Sequence, residues 1–441
     1  MMPLRQSCVR LPRSRFPIHT RQRIAAWLPV LLAVLGLLLA ACEAAPPPTP
    51  APTLTPVPTD TAVPPSPTPA PTAVTVVTLP PQEALDAVEF STTDHVQGAD
   101  APIVTAILYA DFQCRPCADV ARSLSILVDR YPDGLQVIWR HFPDLATHDK
   151  ATLALLASEA AGAQGRFWEM HDLLFAELET WIELTPDEFR ARLDEYAATL
   201  ELDMESFTAA MAQDAAPLVD QYRLEALALD LRGIPSLLIN GQPFSGRYDL
   251  EGLDEAYRIY ALAPRQYDDQ PELVIDLSHT YRAVLVTAHG DVHIDLFTDR
   301  APVAVNNFVF LARAGWYDDI TFHRVLPGLF AQTGDPSGTG LGGPGYTILD
   351  EHDNGLVFDR EGLVAMASTR GRNNSGGSQF FITYGPLLPE RDWNGEFTIF
   401  GVVTSGMDAI RALTPRDPLD PVLYPNPAPG DRLLRVEIIE E

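Results

Sequence analysis

Cysteine is scarce in this chain of 441 residues: four in all, Cys8, Cys42, Cys114 and Cys117. That scarcity excludes a fold stapled by many disulfides, as small secreted domains use. Lysine is scarcer still, with Lys150 alone. Basic residues number 31 against 59 acidic ones, for a formal net charge of −28. A surface so acidic repels a phosphate backbone, which sets nucleic acid aside as a partner. Long apolar runs are absent but for one, IAAWLPVLLAVLGLLLAA at 24–41. Its length is at the lower edge for a membrane span, so the chain offers at most a single spanning anchor.

Proline is abundant instead, at 40 residues, and clustered. The arginines Arg5, Arg10, Arg13, Arg15, Arg21 and Arg23 precede the apolar run, with no acid among them. A positive flank, an apolar core and small residues make a signal-like segment over 1–41. It ends in LAAC, Leu39 to Cys42, which resembles the bacterial lipoprotein lipobox. That resemblance implies lipid attachment at Cys42 and a place on the extracytoplasmic face of the cell membrane. Residues 45–81 follow as Pro/Thr low complexity with almost no charge. Such a stretch cannot bury a core, so 42–84 reads as a disordered, semi-rigid tether.

The first folded unit is expected over 85–265. PIVTAILYADF (102–112) and LQVIWRHFP (135–143) read as strands, and ADVARSLSILVDRYP between them as a helix. A helical region spans about 147–231, and GIPSLLING (233–241) returns to strand with an Asn-Gly turn. Cys114 then lies at a strand-to-helix junction, with Cys117 in the first helical turn. A thiolate there faces the positive end of the helix dipole and unpaired N–H groups, which favour it. Pro116 suits an early helical position, and Arg115 adds a positive charge. A Cys-x-x-Cys pair also serves as half of a zinc site, with His141 and His148 the available partners, or as a short structural staple. The run YADFQC-x-x-C, the strand WRHFP and the late GIPS together resemble the DsbA-like group of thioredoxin-fold proteins. The resemblance implies an α/β thioredoxin fold with a helical insertion and a redox-active Cys114–Cys117 disulfide. It also implies a cis proline at Pro235, preceded by Ile234, facing the dithiol. Oxidase, reductase and isomerase directions stay open.

A linker over 266–274 and a second folded unit over 275–441 complete the chain. YRAVLVTAHGDVHIDLF (281–297) reads as two strands around a turn at His289-Gly290-Asp291. APVAVNNFVFLARAGWY reads as a helix from Pro302 to Gly315, and GMDAIRAL (406–413) as a second one. Short strands, many glycines and little helix suggest an antiparallel barrel. FHRVLPGLFAQTGD (322–335) and NNSGGSQFFITY (373–384) resemble the cyclophilin family of peptidyl-prolyl isomerases. That implies a closed eight-stranded barrel with two helices. Arg324 is implied as catalytic. Gln332, Gln379 and Phe381 are implied to bind the substrate carbonyl and proline, with Leu329, Phe330, Met366, Ala367 and Phe397 shaping the pocket. Leu329-Phe330 replaces the usual Phe-Met, Ala367-Ser368-Thr369 replaces the family's Ala-Asn-Ala, and Phe397 stands where a histidine is frequent. Trp393 falls one position after the tryptophan that binds cyclosporin. GTGLGG (338–343) fits G-x-G-x-x-G, but it neither follows a strand nor opens a helix, so it belongs to the barrel loop.

The combined expectation is a membrane-tethered extracytoplasmic foldase joining thiol–disulfide exchange to prolyl isomerisation. Its partners would be unfolded secreted proteins and a redox partner for the dithiol. No metal and no cofactor beyond the disulfide are expected. The alternative is a tethered peptide-binding chaperone with little or no turnover.

Overall fold

In a computed structural model, described here for residues 94–369, 372–387, 393–420, 422–424 and 428–441, the chain forms two sheet-based domains. The signal-like segment, Cys42 and the tether lie outside the described residues. Among the described residues no helix is long and apolar enough to cross a membrane.

The first domain centres on a five-stranded sheet in the order β1-β3-β2-β4-β5. These strands are His95–Gly98, Val104–Ala110, Leu135–His141, Ser236–Ile239 and Gln242–Pro243, as β1 to β5. β2 and β3 run parallel, joined by α1 (Arg115–Arg130), while β4 lies antiparallel to β2. Every residue of β2 is buried because both faces of the sheet are covered. Alternation sorts its side chains. Ala106, Leu108 and Ala110 join the core that holds Leu124 and Leu127 of α1. Ile107 and Tyr109 face the other way, toward Ala226 and Leu231. The long helical region resolves into six helices: α2 (Ala151–Gly162), α3 (Phe167–Ala176), α4 (Leu178–Trp181), α5 (Pro186–Thr199), α6 (Met204–Met211) and α7 (Ala216–Ala228). A Thr185/Glu188 capping box starts α5 behind Pro186. α8 (Leu250–Tyr260) closes the domain, with Tyr257 stacked on Tyr131 at 3.8 Å.

The second domain is a curled antiparallel sheet of nine strands, where the cyclophilin resemblance implied a closed barrel of eight. In chain order they are β6 (Tyr281–Thr287), β7 (Gly290–Leu296), β8 (Ile320–Thr321), β9 (Arg324–Leu326), β10 (Phe330–Thr333), β11 (Leu363–Met366), β12 (Phe380–Thr383), β13 (Ile399–Ser405) and β14 (Arg432–Glu440). The sheet begins at β8 and ends at β9, which only Phe322 and His323 separate in the chain. The curl therefore brings its two edges together by covalent continuity, and no ladder among the described residues pairs them. Two short strands split by a bend account for the ninth strand. The β6–β7 turn is Ala288-His289, one residue earlier than expected, with Gly290 at φ +120.

α9 (Pro302–Arg313) packs into the core of this domain, its Phe308 meeting Phe380 and Phe400 at 5.3 Å. The N-cap residue, Ala301, is followed by a proline and has no side-chain group that could cap the helix. Glu351 takes the duty from a distant loop, accepting the N–H groups of Val303 (3.0 Å) and Ala304 (2.9 Å). α10 (Met407–Arg411) is shorter than its sequence suggested.

The expected linker is bound along the second domain. Gln266 Nε2 donates to Gly343 O at 2.9 Å, and Tyr267 N to Pro344 O at 2.9 Å. The Tyr267 ring packs edge-on to Phe310. Asn306 closes the far end, accepting from Val274 N (2.7 Å) and donating to Glu272 O (3.0 Å). Arg258 of α8 also reaches across, giving Nη1 to Ser337 O at 2.9 Å.

Candidate active sites

Cys114 is the N-cap of α1, as its place after a strand implied. The two cysteines are joined as a disulfide, and Cys114 Sγ accepts the N–H of Cys117 at 3.1 Å. A sulfur in that position meets unpaired amides and the positive helix end, which stabilise it as a thiolate once reduced. The loop that carries it is fastened by buried Asp111. Its Oδ1 accepts Gln113 N at 2.7 Å, and its Oδ2 accepts Asp144 N and pairs with His148 Nδ1, each at 2.9 Å. The Gln113 side chain binds Lys150 N and Asp149 in turn. Arg115 does not offer the free positive charge its position suggested. Its guanidinium is exposed and gripped by Glu179 at 2.7 and 3.0 Å.

The Ile234–Pro235 bond is cis. Ile234 and Cys114 share the wall of a groove of about 600 Å³ with Pro116, His148 and Ile182. Ile234 and Asp144 also line an adjoining cavity of about 700 Å³ that leads to Phe142, Leu145 and Arg223. A peptide lying there would pass the disulfide.

Both ring nitrogens of His141, a candidate zinc partner of the cysteines, are engaged by Trp139 and Glu159. With His95 and Glu159 it forms the one group among the described residues whose donor atoms cluster as metal ligands do. Hydrogen bonding accounts for it. His141 Nδ1 accepts the indole N–H of Trp139 (3.2 Å), so the ring proton sits on Nε2 and is donated to Glu159 Oε1 (3.0 Å). His95 shares that oxygen at 2.8 Å. A metal would need the lone pair that this tautomer lacks. Burial pushes His141 down, while the two histidines hold Glu159 at about 2 against the opposing effect of its own burial.

In the second domain, β9, β10 and β12 bring two polar side chains and a phenylalanine into register. Arg324 lies opposite Gln332, and Gln332 opposite Phe381. Gln332 Nε2 donates to Gln379 Oε1 at 2.8 Å. Gln379 spends its own amide on Gly340 O and Gly342 O, at 3.0 and 2.9 Å. Those glycines belong to GTGLGG. Their N–H groups bind Asp335 Oδ2, so the segment is a loop braced from within. The Arg324 guanidinium lies 5.2 Å from the Phe330 ring centroid and is bonded to Asp417. Beside it, burial pushes His323 down to about 4, which makes the imidazole neutral at neutral pH.

Phe330, Ala367, Phe381, Trp393 and Phe397 form one apolar cluster with Phe358, and Leu329 packs on its margin. Phe381 sits 5.5 Å from Phe397 and 5.8 Å from Trp393. Met366 is not among them. It lies in the main core of the domain with Val364, because alternate residues of β11 point to opposite faces.

The family model described as cyclophilin type peptidyl-prolyl cis-trans isomerase/CLD matches residues 282–428. Peptidyl-prolyl cis-trans isomerase-like 1 of Gibberella zeae is 42% identical over 137 residues, which is 30% of this chain and 82% of that protein. Peptidyl-prolyl cis-trans isomerase B of Bacillus subtilis is 42% identical over 126 residues, 29% of this chain and 85% of its own length. The chain belongs to the cyclophilin-type peptidyl-prolyl cis-trans isomerase family. A solved cyclophilin-type isomerase from Cryptosporidium parvum covers 37% of this chain and 99% of its own, at 34% identity and TM-score 0.33. Ahead of the cyclophilin domain, a thioredoxin family model matches 91–257.

The chemistry of a cyclophilin needs no nucleophile. Amide resonance sets a barrier of about 18–20 kcal/mol to rotation. A catalyst lowers it by binding the twisted amide better than either planar form. Two groups close to these sites escaped sequence reasoning. Asp417 is 93 positions from Arg324, and its only signal was an Arg-Asp-Pro run after a helix. Asp111 stood in the quoted YADFQC run, but its partner His148 could be found only through the fold.

Proposed function

We propose that the chain is a membrane-tethered extracytoplasmic foldase in which a DsbA-like thiol–disulfide oxidoreductase precedes the cyclophilin isomerase. The observation that carries the first half is the Cys114–Cys117 disulfide on the N-terminus of α1, opening on a peptide-sized groove. In the exchange, a client thiolate attacks one sulfur of that disulfide and forms a mixed disulfide, releasing the other cysteine as thiolate. A second client thiolate then displaces the bound cysteine. The client gains a disulfide and the Cys114/Cys117 pair is reduced by two electrons, to be reoxidised by a redox partner. Isomerisation is assigned to Arg324, hydrogen-bonding the prolyl nitrogen as it pyramidalises while the Phe330/Phe381/Phe397 cluster receives the ring. Gln332 is assigned to the substrate carbonyl, and Gln379, whose own amide is spent on Gly340 O and Gly342 O, to holding Gln332 in place.

Lipid attachment at Cys42 and the tether are part of the same proposal. Clients would be unfolded or partly folded secreted proteins. The lipobox resemblance and the proline-rich stretch support this placement, and Cys42→Ala should abolish incorporation of a labelled fatty acid into the chain.

The deciding experiment titrates the Cys114/Cys117 pair against glutathione. A potential well above that of thioredoxin, about −270 mV, agrees with an oxidase; one at or below it means a reductase. Oxidation of a reduced, two-cysteine client by the full chain should vanish in Cys114→Ser, and persistence there would sink the assignment.

A further inference from the structure

The catalytic-site arginine of this cyclophilin is fixed by a segment that follows α10. Arg416 is zipped to the edge strand β9 at the residue beside Arg324: its N–H donates to Val325 O at 2.9 Å and its C=O accepts Val325 N at 2.7 Å. That bridge delivers Asp417 to the guanidinium. Asp417 Oδ2 accepts from both Nε (3.0 Å) and Nη2 (2.9 Å) of Arg324, while Oδ1 accepts Leu419 N at 3.0 Å. The two side chains are 5% and 2% exposed. Farther along, Tyr424 packs against the Phe330/Phe381/Trp393 cluster.

We propose that Asp417 is the positioning residue for Arg324 in prolyl isomerisation, an inference that rests on Arg324 being the catalytic group. An arginine side chain has several soft torsions, and its charge is costly to bury unpaired. Asp417 answers both. Two of the five N–H donors of the fork are committed to one carboxylate oxygen, which fixes the guanidinium plane above Phe330. The guanidinium is then oriented before the substrate arrives, and no reorganisation is left for the moment when the amide twists. The carboxylate is itself anchored through Leu419 N and the Arg416–Val325 bridge, so the segment acts as a rigid bracket on the arginine.

The test is a double-mutant cycle in the full chain, with Asp417→Ala, Asp417→Asn and Arg324→Ala assayed on a proline peptide. Asp417→Ala should lower kcat by about tenfold or more with KM within about twofold, because orientation and not client binding is lost. Asp417→Asn, which keeps one acceptor oxygen, should fall between it and the parent. In the Arg324→Ala background the same Asp417→Ala change should alter kcat by less than twofold. Thermal midpoint and thiol titration of each variant show that both domains remain folded. An equal loss from Asp417→Ala in both backgrounds overturns the proposal, since Asp417 would then act through the fold at large. Unchanged or raised kcat in Asp417→Ala overturns it too, the raised value marking Asp417 as a blocking contact. If Arg324→Ala alone leaves kcat untouched, the assignment of Arg324 fails first and the proposal falls with it.

Discussion

Arg324 and Cys114, the residues proposed to carry the two activities, are each set among charges placed by different means. The guanidinium of Arg324 is held by an acidic side chain at close range, and the sulfur of Cys114 by backbone amides at a helix end. Arg324→Ala deletes a preorganised donor, and such losses cost roughly 10²–10³ in rate. A chymotrypsin-coupled assay should therefore show kcat/KM down by about that factor, and equal rates would favour a peptide-binding module without turnover. Next to the dithiol in sequence, Arg115 is paired with Glu179, which offsets its charge. Glu179→Ala should release that charge and lower the pKa of reduced Cys114 by a few tenths of a unit, since exposed pairs are weak. Thiolate absorbance against pH measures it, and a rise would contradict the electrostatic account.

Elements differed in how plainly the sequence announced them. β2 and β3 were legible because both are apolar and β-branched between turn residues, and α1 because Val120, Leu124, Leu127 and Val128 keep helical spacing. The Ile-Pro before β4 was legible as well. Strands of two to four residues, such as β8, β9 and β10, are too short to display a period. Motif resemblance, not periodicity, located them. Side-chain direction on β11 was lost for a related reason: Met366 and Ala367 are neighbours in sequence but face opposite cores. Partners drawn from remote loops carried no local signal at all. Glu351 is the plainest case, capping α9 across 48 positions while burial holds its carboxyl above the usual range. Glu351→Ala should cost about 1 kcal/mol of stability, as lost helix caps do. Denaturant unfolding followed in the cyclophilin domain checks this, with no change expected in the thioredoxin-like domain.

For the whole molecule, acid should weaken both domains: burial holds His323 of the second down to about 4, and the first carries Glu159 and His141. Glu159 sits at about 2 in the fold against 4.5 ordinarily, so its contribution is complete above about pH 4.5 and is lost as pH falls toward 2. His141 is held neutral by burial, below its ordinary 6.5. Under pH 6.5 the unfolded chain binds a proton that the folded chain refuses, which also favours unfolding. Both groups act in one direction, and the thermal midpoint of the thioredoxin-like domain should fall continuously from pH 7 to pH 3. Glu159→Gln should lower the midpoint at pH 7 and flatten the decline below pH 5. A midpoint insensitive to pH over that range would contradict the assignment.

The strap from Gln266 to Val274 has a practical corollary for anyone dividing this chain. A cut placed at residue 275, where the second domain's regular structure is about to begin, would strip the cyclophilin fragment of Tyr267 and of the bonds to Gly343 and Pro344. The slot beside Phe310 would be left bare to solvent, inviting self-association, and the loop that Gln379 braces would lose its outer support. Dissection should therefore be made on the α8 side of Gln266, so that the short run of chain travels with the domain it is bound to.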